Sequence, residues 1–491
     1  MSINSQNSKI IFGLKVKQLR AAKDLSSAAL ADAADLSVSY LNEIEKGKKK
    51  PRSEKIQKLA DVLECSYEEL ISPELSGNLV AVGELLHSNF LNELPLDLFG
   101  IELNKVVEII ASSPVQVSAF ISTLVELSRT FAFKEENFYF HALRAYQELH
   151  YNYFENLEEK IDTFIERFNI PTKRPVPTSL LRQILMDHYG YFIKEVDFAN
   201  QPALKAMRSV FKPEQKKLFI NKELNEQQKA LQLGKEIAYN YLKLKERINT
   251  SSFLRVDNFK TVLHNYFAGY FAVGILVNQT SMIKDLRALF QQETWDGDLL
   301  LQLLDKYKVS PEVLFQRFNI LPGIFKIKKL FFLRMVNRQD TNDYHIDKEM
   351  HLNRKHQPHA NQLKEHYCRR WLSIKQLAAL SNQAQVNKQP MVGIQRSKYL
   401  GTNDEYLCFT IARPSYFPHT QQVSVTIGLL VDEELQQTIQ FLNDPSIPRI
   451  MVGVTCERCA KMDCQERVVE PKALLKKSER KAIHEAIENL D

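Results

Sequence analysis

Short stretches of apolar residues at helical spacing, separated by tight turns, make up the first seventy residues of the chain. In the first stretch, Leu14 and Leu19 mark an inner face and Lys15 lies on the outer face. Ser26 and Ser37 precede the next two stretches, where a hydroxyl can accept a hydrogen bond from the first helical turn. The predicted helices cover residues 13–22, 27–31, 38–46 and 54–63.

Amphipathic helical spacing continues through residues 76–168, and aromatic residues crowd its second half. Tyr139, Tyr146 and Tyr153 fall seven residues apart, which places them on one face of a continuous helix. Such a stripe is more typical of a helix–helix or dimer contact than of a cofactor site. We therefore expect a helical linker that also dimerises the chain.

Prolines near residue 171 mark the start of a region in which helical and strand-like patterns alternate. The pattern predicts a helix over residues 179–189, a strand over 191–196, a hairpin of 207–211 with 217–220, and helices over 225–243 and 264–277. The fold class is therefore multidomain and mainly α with α/β parts. The predicted domains are residues 1–75, 76–168, 169–345 and 346–491.

Length and composition agree with this division. A chain of 491 residues suggests about three or more domains, and 44% hydrophobic with 25% charged residues is typical of a globular protein. The amino terminus lacks a secretion signal, and the longest apolar run, over residues 266–277, is too short to cross a bilayer. We expect a cytoplasmic protein whose six cysteines are reduced.

The second and third predicted helices have the spacing of a DNA-binding helix-turn-helix, in which the second helix of the pair enters the major groove. Asn42 suits adenine, Glu43 can accept from cytosine and Val38 can touch a thymine methyl. Residues 46–58 carry seven Lys or Arg against one Glu, a density that suits phosphates. The predicted contacts to double-stranded operator DNA are Ser26, Ser27, Ser37, Val38, Ser39, Tyr40, Asn42, Glu43, Lys46, Lys48, Lys49, Lys50 and Arg52.

The alternative for this region is a small helical bundle that contacts protein. The order LSSAALA through ADLSVSYLNEIEKGKKKPRSEKIQKLADVL resembles the phage-repressor (Xre/Cro) type of helix-turn-helix, with its all-α lambda-repressor-like fold. The resemblance favours DNA binding, and a module of this type generally acts as a dimer on two half-sites.

The predicted helix over residues 225–243 resembles the metal-binding helix of a protease-like fold, where His-Glu-x-x-His supplies two ligands. Lys235, Glu236 and Tyr239 occupy the corresponding positions. A lysine is cationic and a tyrosine hydroxyl is protonated at neutral pH, so two good zinc ligands are missing. We expect a degenerate zincin-like α+β domain without peptidase chemistry, and we expect no catalytic residues and no enzyme activity.

Three of the six cysteines, Cys456, Cys459 and Cys464, fall within nine residues directly after a strand-like segment. Cys65 lies in the first domain, and Cys408 alternates within a strand-like run that suggests a buried thiol. Cys368 lies in a polar setting and is the expected fourth ligand. Four thiolates suit an iron–sulfur cluster or tetrahedral zinc; a triplet with one remote cysteine favours the cluster, and three thiols without metal are the remaining alternative.

Over nearly its whole length the chain resembles the short-chain fatty acyl-CoA-responsive regulators, relatives of the propionate and acetate/glyoxylate regulators. The resemblance is carried by the helix-turn-helix and by residues 217–238, 265–269, 310–321, 368–371 and 453–471. It implies a central acyl-CoA sensor domain and a carboxy-terminal α+β cysteine domain. The implied ligands of a 4Fe–4S cluster are Cys368, Cys456, Cys459 and Cys464, and Tyr266, Lys173 and Arg174 are candidates for the acyl-CoA pocket.

These patterns favour a metabolite-sensing transcription regulator of short-chain fatty acid metabolism. An iron–sulfur redox sensor without acyl-CoA response is the main alternative. A metalloprotease that cleaves a partner repressor is disfavoured by Lys235 and Tyr239.

Overall fold

The computed structural model describes residues 3–76, 105, 135–172, 175–198, 203–251, 256, 258–338, 343–352, 365–383, 389–417 and 421–489. The chain divides into two compact units, one of residues 1–146 with 256–260 and one of residues 147–255 with 261–491. Among the helices that the structure describes, none is long and apolar enough to cross a membrane.

Five helices form the amino-terminal part of the first unit: α1 (Ile3–Ala22), α2 (Ser27–Ala33), α3 (Val38–Glu45), α4 (Ser53–Leu63) and α5 (Tyr67–Ile71). All four predicted helices are confirmed, although α1 begins well before residue 13. Phe12, Leu30, Leu41 and Leu59 lie in one buried apolar cluster that the helices share. The helix-turn-helix thus has its own hydrophobic core.

Two glycines set the close approach of α1 to the end of α3. A Cβ on Gly13 would lie 2.2 Å from the Ile44 carbonyl oxygen, and one on Gly47 would lie 2.8 Å from the Ile10 Cα. Gly47 also has a φ of +66°, which side chains other than glycine rarely adopt. The backbones therefore pack directly against each other here.

Lys15 differs from its predicted outward position. It is buried, and its Nζ donates to the carbonyl oxygens of Glu69 and Ser72 at 2.7 and 2.8 Å. Burial lowers the pKa of Lys15. The lysine ties α1 to the end of α5, since two carbonyls take the place of water around its ammonium group.

The predicted tyrosine stripe is wrong at its third position. Helix α6 (Glu135–Leu149) ends before Tyr153, and the chain turns at Tyr151 and Asn152, both with positive φ. Tyr139 and Tyr146 lie in α6 and are buried within the chain. They are therefore not an exposed dimer seam, and most of the predicted linker before α6 lies outside the described residues.

The second unit begins with α7 (Glu155–Arg167), α8 (Thr178–Tyr189) and a three-stranded sheet of β1 (Phe192–Val196), β2 (Ser209–Lys212) and β3 (Lys217–Asn221). The strand order is β1-β3-β2, with β1 parallel and β2 antiparallel to β3. The predicted helix, strand and hairpin are confirmed. The later helices are α9 (Glu226–Tyr241), α10 (Phe259–Leu276), α11 (Gln279–Phe290), α12 (Asp298–Tyr307) and α13 (Pro311–Gln316).

A second sheet has six strands in the order β5-β4-β8-β7-β6-β9. They are β4 (Leu330–Arg338), β5 (Tyr344–His351), β6 (Met391–Tyr399), β7 (Glu405–Pro414), β8 (Gln421–Leu430) and β9 (Arg449–Val452). Only β6 and β9 pair in parallel within this sheet of the described chain. The domain boundary predicted at residues 345/346 falls within β5.

Both faces of this sheet are buried, which explains the long apolar runs of β7 and β8. Leu407, Phe409 and Ile411 of β7 join the large core that contains α7 to α12, whereas the alternate residues Tyr406 and Cys408 face a smaller core. The smaller core includes α14 (Leu372–Ser381). The remaining helices are α15 (Glu433–Thr438) and α16 (Lys472–Glu488).

Candidate functional site

Helix α3 presents one buried face and one exposed face. Ser37 precedes it and accepts a hydrogen bond from the Tyr40 backbone N–H at 3.2 Å, while Ser26 caps α2 in the same way through Ala29 at 3.1 Å. These hydroxyls begin the two helices, as the sequence predicts. Leu41 and Ile44 are buried, so Val38, Ser39 and Asn42 are the exposed residues left on the outer side; we call these three the reading face.

Tyr40 and Glu43 lie on the same helix but are already engaged by lysines. The Lys49 Nζ lies 2.8 Å from a Glu43 carboxylate oxygen, and this hydrogen bond raises the pKa of Lys49. The ammonium groups of Lys49 and Lys55 lie 5.7 and 5.4 Å from the centre of the Tyr40 ring. Glu43 would have to give up Lys49 before it could accept from a base.

The other predicted basic contacts surround this helix at its carboxyl end. Lys46, Lys48, Lys50 and Arg52 are exposed. The Nζ of Lys50 lies 3.2 Å from the Ser8 hydroxyl. These side chains can reach a phosphate backbone without burying charge, since their ammonium and guanidinium groups remain in solvent.

Four cysteines converge on one cavity in the second unit. Cys368, Cys456, Cys459 and Cys464 all line it, together with Gly453, Lys461 and Arg467. The cavity has about 310 Å³ of non-protein space, solvent at its mouth included. We call it the cysteine cavity. Cys408 lies elsewhere, buried in β7 with its thiol 3.5 Å from the Ser397 hydroxyl.

A short two-stranded contact brings Cys368 to the triplet. Tyr367 and Thr455 form an isolated antiparallel bridge, and the backbone N–H groups of Cys368 and Cys456 donate to the carbonyls of Val454 and His366. The backbone N–H of Gly453 donates to the Cys368 Sγ at 3.3 Å. A Cβ on Gly453 would lie 3.1 Å from the Cys459 Sγ, so a larger residue would require the Cys459 side chain to shift.

A cationic side chain, that of Arg467, lies against the segment that carries Cys456 and Cys459. The Arg467 guanidinium donates to the carbonyl oxygens of Cys456, Cys459 and Lys461 at 2.8, 3.1 and 2.7 Å. It therefore holds the loop in shape and places positive charge beside the thiols. Burial raises the pKa of the Cys368 thiol to about 11.

Among the described residues, no three His, Cys, Asp or Glu side chains are grouped closely enough to hold one metal ion. Four thiolates on one zinc would lie about 3.8 Å apart, since a Zn–S bond is about 2.3 Å. In a 4Fe–4S cluster each thiolate binds a different iron, so the sulfurs lie further apart. Four thiols at one cavity are a donor set that either group could use.

Comparison with known proteins assigns the first unit. The helix-turn-helix family model matches residues 16–70. The uncharacterized HTH-type transcriptional regulator YazB of Bacillus subtilis (strain 168) is 41% identical over 64 residues, which are 13% of this chain and 93% of that protein. The chain belongs to the helix-turn-helix transcriptional regulators. Its DNA-binding domain is of the Xre type, as the sequence predicts.

Two solved structures are similar to this regulator over a larger share of the chain. A Mycobacterium tuberculosis transcriptional regulator is 16% identical, with a TM-score of 0.46, covering 68% of this chain and 93% of its own. The apo form of the competence regulator ComR from Streptococcus vestibularis is 15% identical, with a TM-score of 0.13, covering 64% and 98%. The family assignment of the regulator rests on the amino-terminal match alone.

Helix α9 of the regulator carries Lys235, Glu236 and Tyr239. The Lys235 Nζ lies 2.7 Å from the Asn265 side-chain oxygen, to which the Tyr239 hydroxyl donates at 3.2 Å. Glu236 is buried, and the Arg247 Nη2 donates to its two carboxylate oxygens at 2.8 and 2.7 Å. The guanidinium of Arg247 therefore neutralises the charge of the Glu236 carboxylate.

Of the three predicted acyl-CoA residues, the structure describes Tyr266. The Tyr266 hydroxyl donates to the Asn152 side chain, and its ring packs edge-on against Phe154 at 5.9 Å. Lys173 and Arg174 lie outside the described residues. Tyr266 is thus part of an internal aromatic cluster.

A cavity that the sequence did not reveal lies between α9 and strands β7 and β8. Arg208, Arg334 and Arg413 line it. They are far apart in the sequence and follow no motif, so only the fold brings them together.

Proposed function

We propose that this regulator controls transcription through an iron–sulfur cluster, of the 4Fe–4S type, held by Cys368, Cys456, Cys459 and Cys464. The observation that carries the proposal is that these four thiols, from two separate segments, line one cavity. A cluster would supply sensitivity to oxidants or to iron supply, and this chain's own residues would hold it and carry its state to the DNA-binding domain. Zinc is the alternative occupant.

In this proposal the reading face enters the major groove of double-stranded operator DNA. Val38, Ser39 and Asn42 are exposed and face outward from the core, and the major groove admits one helix. Lys46, Lys48, Lys50 and Arg52 would hold phosphates. A homodimer would place two such helices on two half-sites, one helical turn of DNA apart.

The test of the cluster is the visible spectrum and the iron and sulfide content of the full chain purified without oxygen. The wild-type protein is expected to be brown, with about four irons per chain. Cys459→Ser is expected to lose the colour, while Cys408→Ser and Cys65→Ser keep it because these thiols lie outside the cysteine cavity. A colourless wild type that contains one zinc, or an unchanged spectrum of Cys459→Ser, would contradict the proposal.

The resemblance to acyl-CoA-responsive regulators adds a second candidate signal, namely short-chain acyl-CoA acting on genes of acetate, propionate, glyoxylate or methylcitrate metabolism. DNA binding measured against acetyl-CoA and propionyl-CoA, and separately against oxidation, distinguishes the two signals. If both esters leave the affinity for DNA unchanged while oxidation abolishes it, the cluster is the signal. If the esters change the affinity of Cys459→Ser, the acyl-CoA response is independent of the cluster.

A further inference from the structure

One cavity of the second unit has the composition of a binding site for a small anion. Helix α9, helix α13 and strands β4, β7 and β8 surround it, and it has about 620 Å³ of non-protein space, solvent at its mouth included. We call it the arginine cavity, after Arg208, Arg334 and Arg413 in its wall.

The one carboxylate in the wall is already neutralised. The Arg334 Nε lies 3.4 Å from Glu312, and the Lys348 ammonium forms a second ion pair with the same carboxylate. Burial opposes the ionisation of Glu312, but Lys348 and Arg334 hold its pKa at about 2. Arg334 also pairs with Asp347. Glu312 and Asp347 are thus engaged by Arg334 and Lys348. In the described part of the chain, neither Arg208 nor Arg413 forms an ion pair with a carboxylate.

Arg208 and Arg413 are both partly buried. Desolvation lowers the pKa of Arg208, and it lowers the pKa of Arg413 to about 10. Among the residues that the structure describes, the buried Nη1 of Arg413 has no hydrogen-bond partner. The Arg413 guanidinium lies 3.5 Å from the centre of the Tyr416 ring, which fixes its plane.

The balance of charge is positive. Arg208, Arg334, Lys348 and Arg413 face Glu312 and Asp347, which leaves two positive charges in excess. A buried guanidinium that lacks a partner is costly, and a bound oxyanion removes that cost by accepting two parallel N–H bonds.

Part of the wall is apolar. Ile411, Val423 and Val425 line the cavity from the six-stranded sheet. We propose that the arginine cavity binds a small organic anion, whose carboxylate or phosphate lies on Arg208 and Arg413 and whose apolar part lies on these three residues. The assignment does not depend on the iron–sulfur cluster.

The experiment is calorimetric titration of the full chain with butyrate, butyl phosphate and inorganic phosphate. At least one of the two organic anions is expected to bind with one site per chain and more tightly than inorganic phosphate, which has no apolar part. The tighter of the two identifies the headgroup as carboxylate or phosphate.

Variants locate the binding. Arg413→Met and Arg208→Met are each expected to weaken binding about tenfold or more, as loss of a charge-assisted bond implies. Arg413→Lys keeps the positive charge but lacks the parallel N–H donors of a guanidinium, so it is expected to bind with intermediate affinity. Arg182→Met is the control, since Arg182 pairs with Glu195 at 2.6 Å and does not line the cavity.

Three outcomes would overturn the proposal: no binding of any of the three anions to wild type, equal affinity of inorganic phosphate and both organic anions, or unchanged binding by Arg413→Met and Arg208→Met. Cys459→Ser is expected to bind the anion as wild type does. If Cys459→Ser loses the colour of the cluster but still binds the anion, the two sites are independent. Failure of the cluster proposal can then be told apart from failure of this anion site.

Discussion

On the scale of single residues, the side chains of α3 divide into those that can reach a base edge and those that neighbouring lysines already hold. Asn42 is exposed and its amide can donate to and accept from adenine. Glu43 is paired with Lys49 instead. Lys48 is exposed beyond the helix, and its charge can neutralise a phosphate of any sequence.

A contact to a base and a contact to a phosphate predict different losses of DNA-binding affinity when each is removed. On an operator selected by the wild-type protein from random DNA, Asn42→Ala is expected to lose about 1–3 kcal/mol of binding free energy and to relax the preference at one base pair. Lys48→Ala is expected to weaken binding to all DNA and to reduce the slope against log salt by about one.

Fluorescence anisotropy at several salt concentrations measures both effects. Gln57→Ala is the control, because Gln57 is exposed on α4 and bonds Asp61 at 2.8 Å. Equal losses by Asn42→Ala on operator and on unrelated DNA would contradict the base-reading role of this residue.

Residue-level burial was the least predictable property of the chain. The helical pattern predicted that Lys15 is exposed. In the structure it is buried, and its Nζ donates to the carbonyl oxygens of Glu69 and Ser72, far away in the sequence. The polar setting of Cys368 selected it as the fourth cysteine, and the structure brings all four to one cavity. Arg208 and Arg413 gave no signal, because each lies in a different segment without a motif.

On the scale of elements, periodicity predicted α8, β1, the β2–β3 pair and α9, because the pattern of a local segment reflects which of its faces is buried. It failed at the tyrosine stripe, because the turn at Tyr151 and Asn152 interrupts the helix without Gly or Pro. Asn152 adopts positive φ more readily than most residues, and this is the one signal available.

Helix α9 carries a partly buried lysine, Lys235, and this gives the helix a pH-dependent stability. Burial lowers the pKa of Lys235 from 10.5 to about 8. Below pH 8 the lysine is charged in the folded and unfolded states, and above pH 10.5 it is neutral in both. Between these values the unfolded chain binds more protons, so the Lys235 contribution to the free energy of unfolding rises with pH, by about 3 kcal/mol in total.

Lys235→Met should remove this dependence. The difference in the free energy of unfolding between Lys235→Met and wild type, measured by denaturation from pH 7 to 11, is expected to shrink as the pH rises. Lys245→Met is the control, because Lys245 is exposed just beyond the helix. A difference that stays constant over this range would show that Lys235 is not desolvated.

On the scale of the molecule, one ion pair joins segments of the second unit that are far apart in sequence. Arg317 is fully buried, and its guanidinium lies 2.6 and 2.7 Å from the two oxygens of Glu158 in α7. The Nε of Arg317 donates to the Val277 carbonyl at 2.8 Å, and the Tyr270 hydroxyl donates to Glu158 at 2.6 Å. The network ties α7, α10 and the segment after α13 into one body.

Removing one charge of this pair leaves the other buried and unpaired, whereas removing both leaves apolar side chains in a core. Arg317→Met is therefore expected to lower the free energy of unfolding of the second unit by about 3–5 kcal/mol. The double variant Glu158→Leu/Arg317→Met is expected to be more stable than Arg317→Met alone.

The tryptophans of the chain, Trp295 and Trp371, both belong to this unit, so denaturant titration followed by tryptophan fluorescence reports its unfolding. If the double variant is instead less stable than Arg317→Met, Glu158 stabilises the unit even without Arg317, through the hydrogen bond that it accepts from Tyr270.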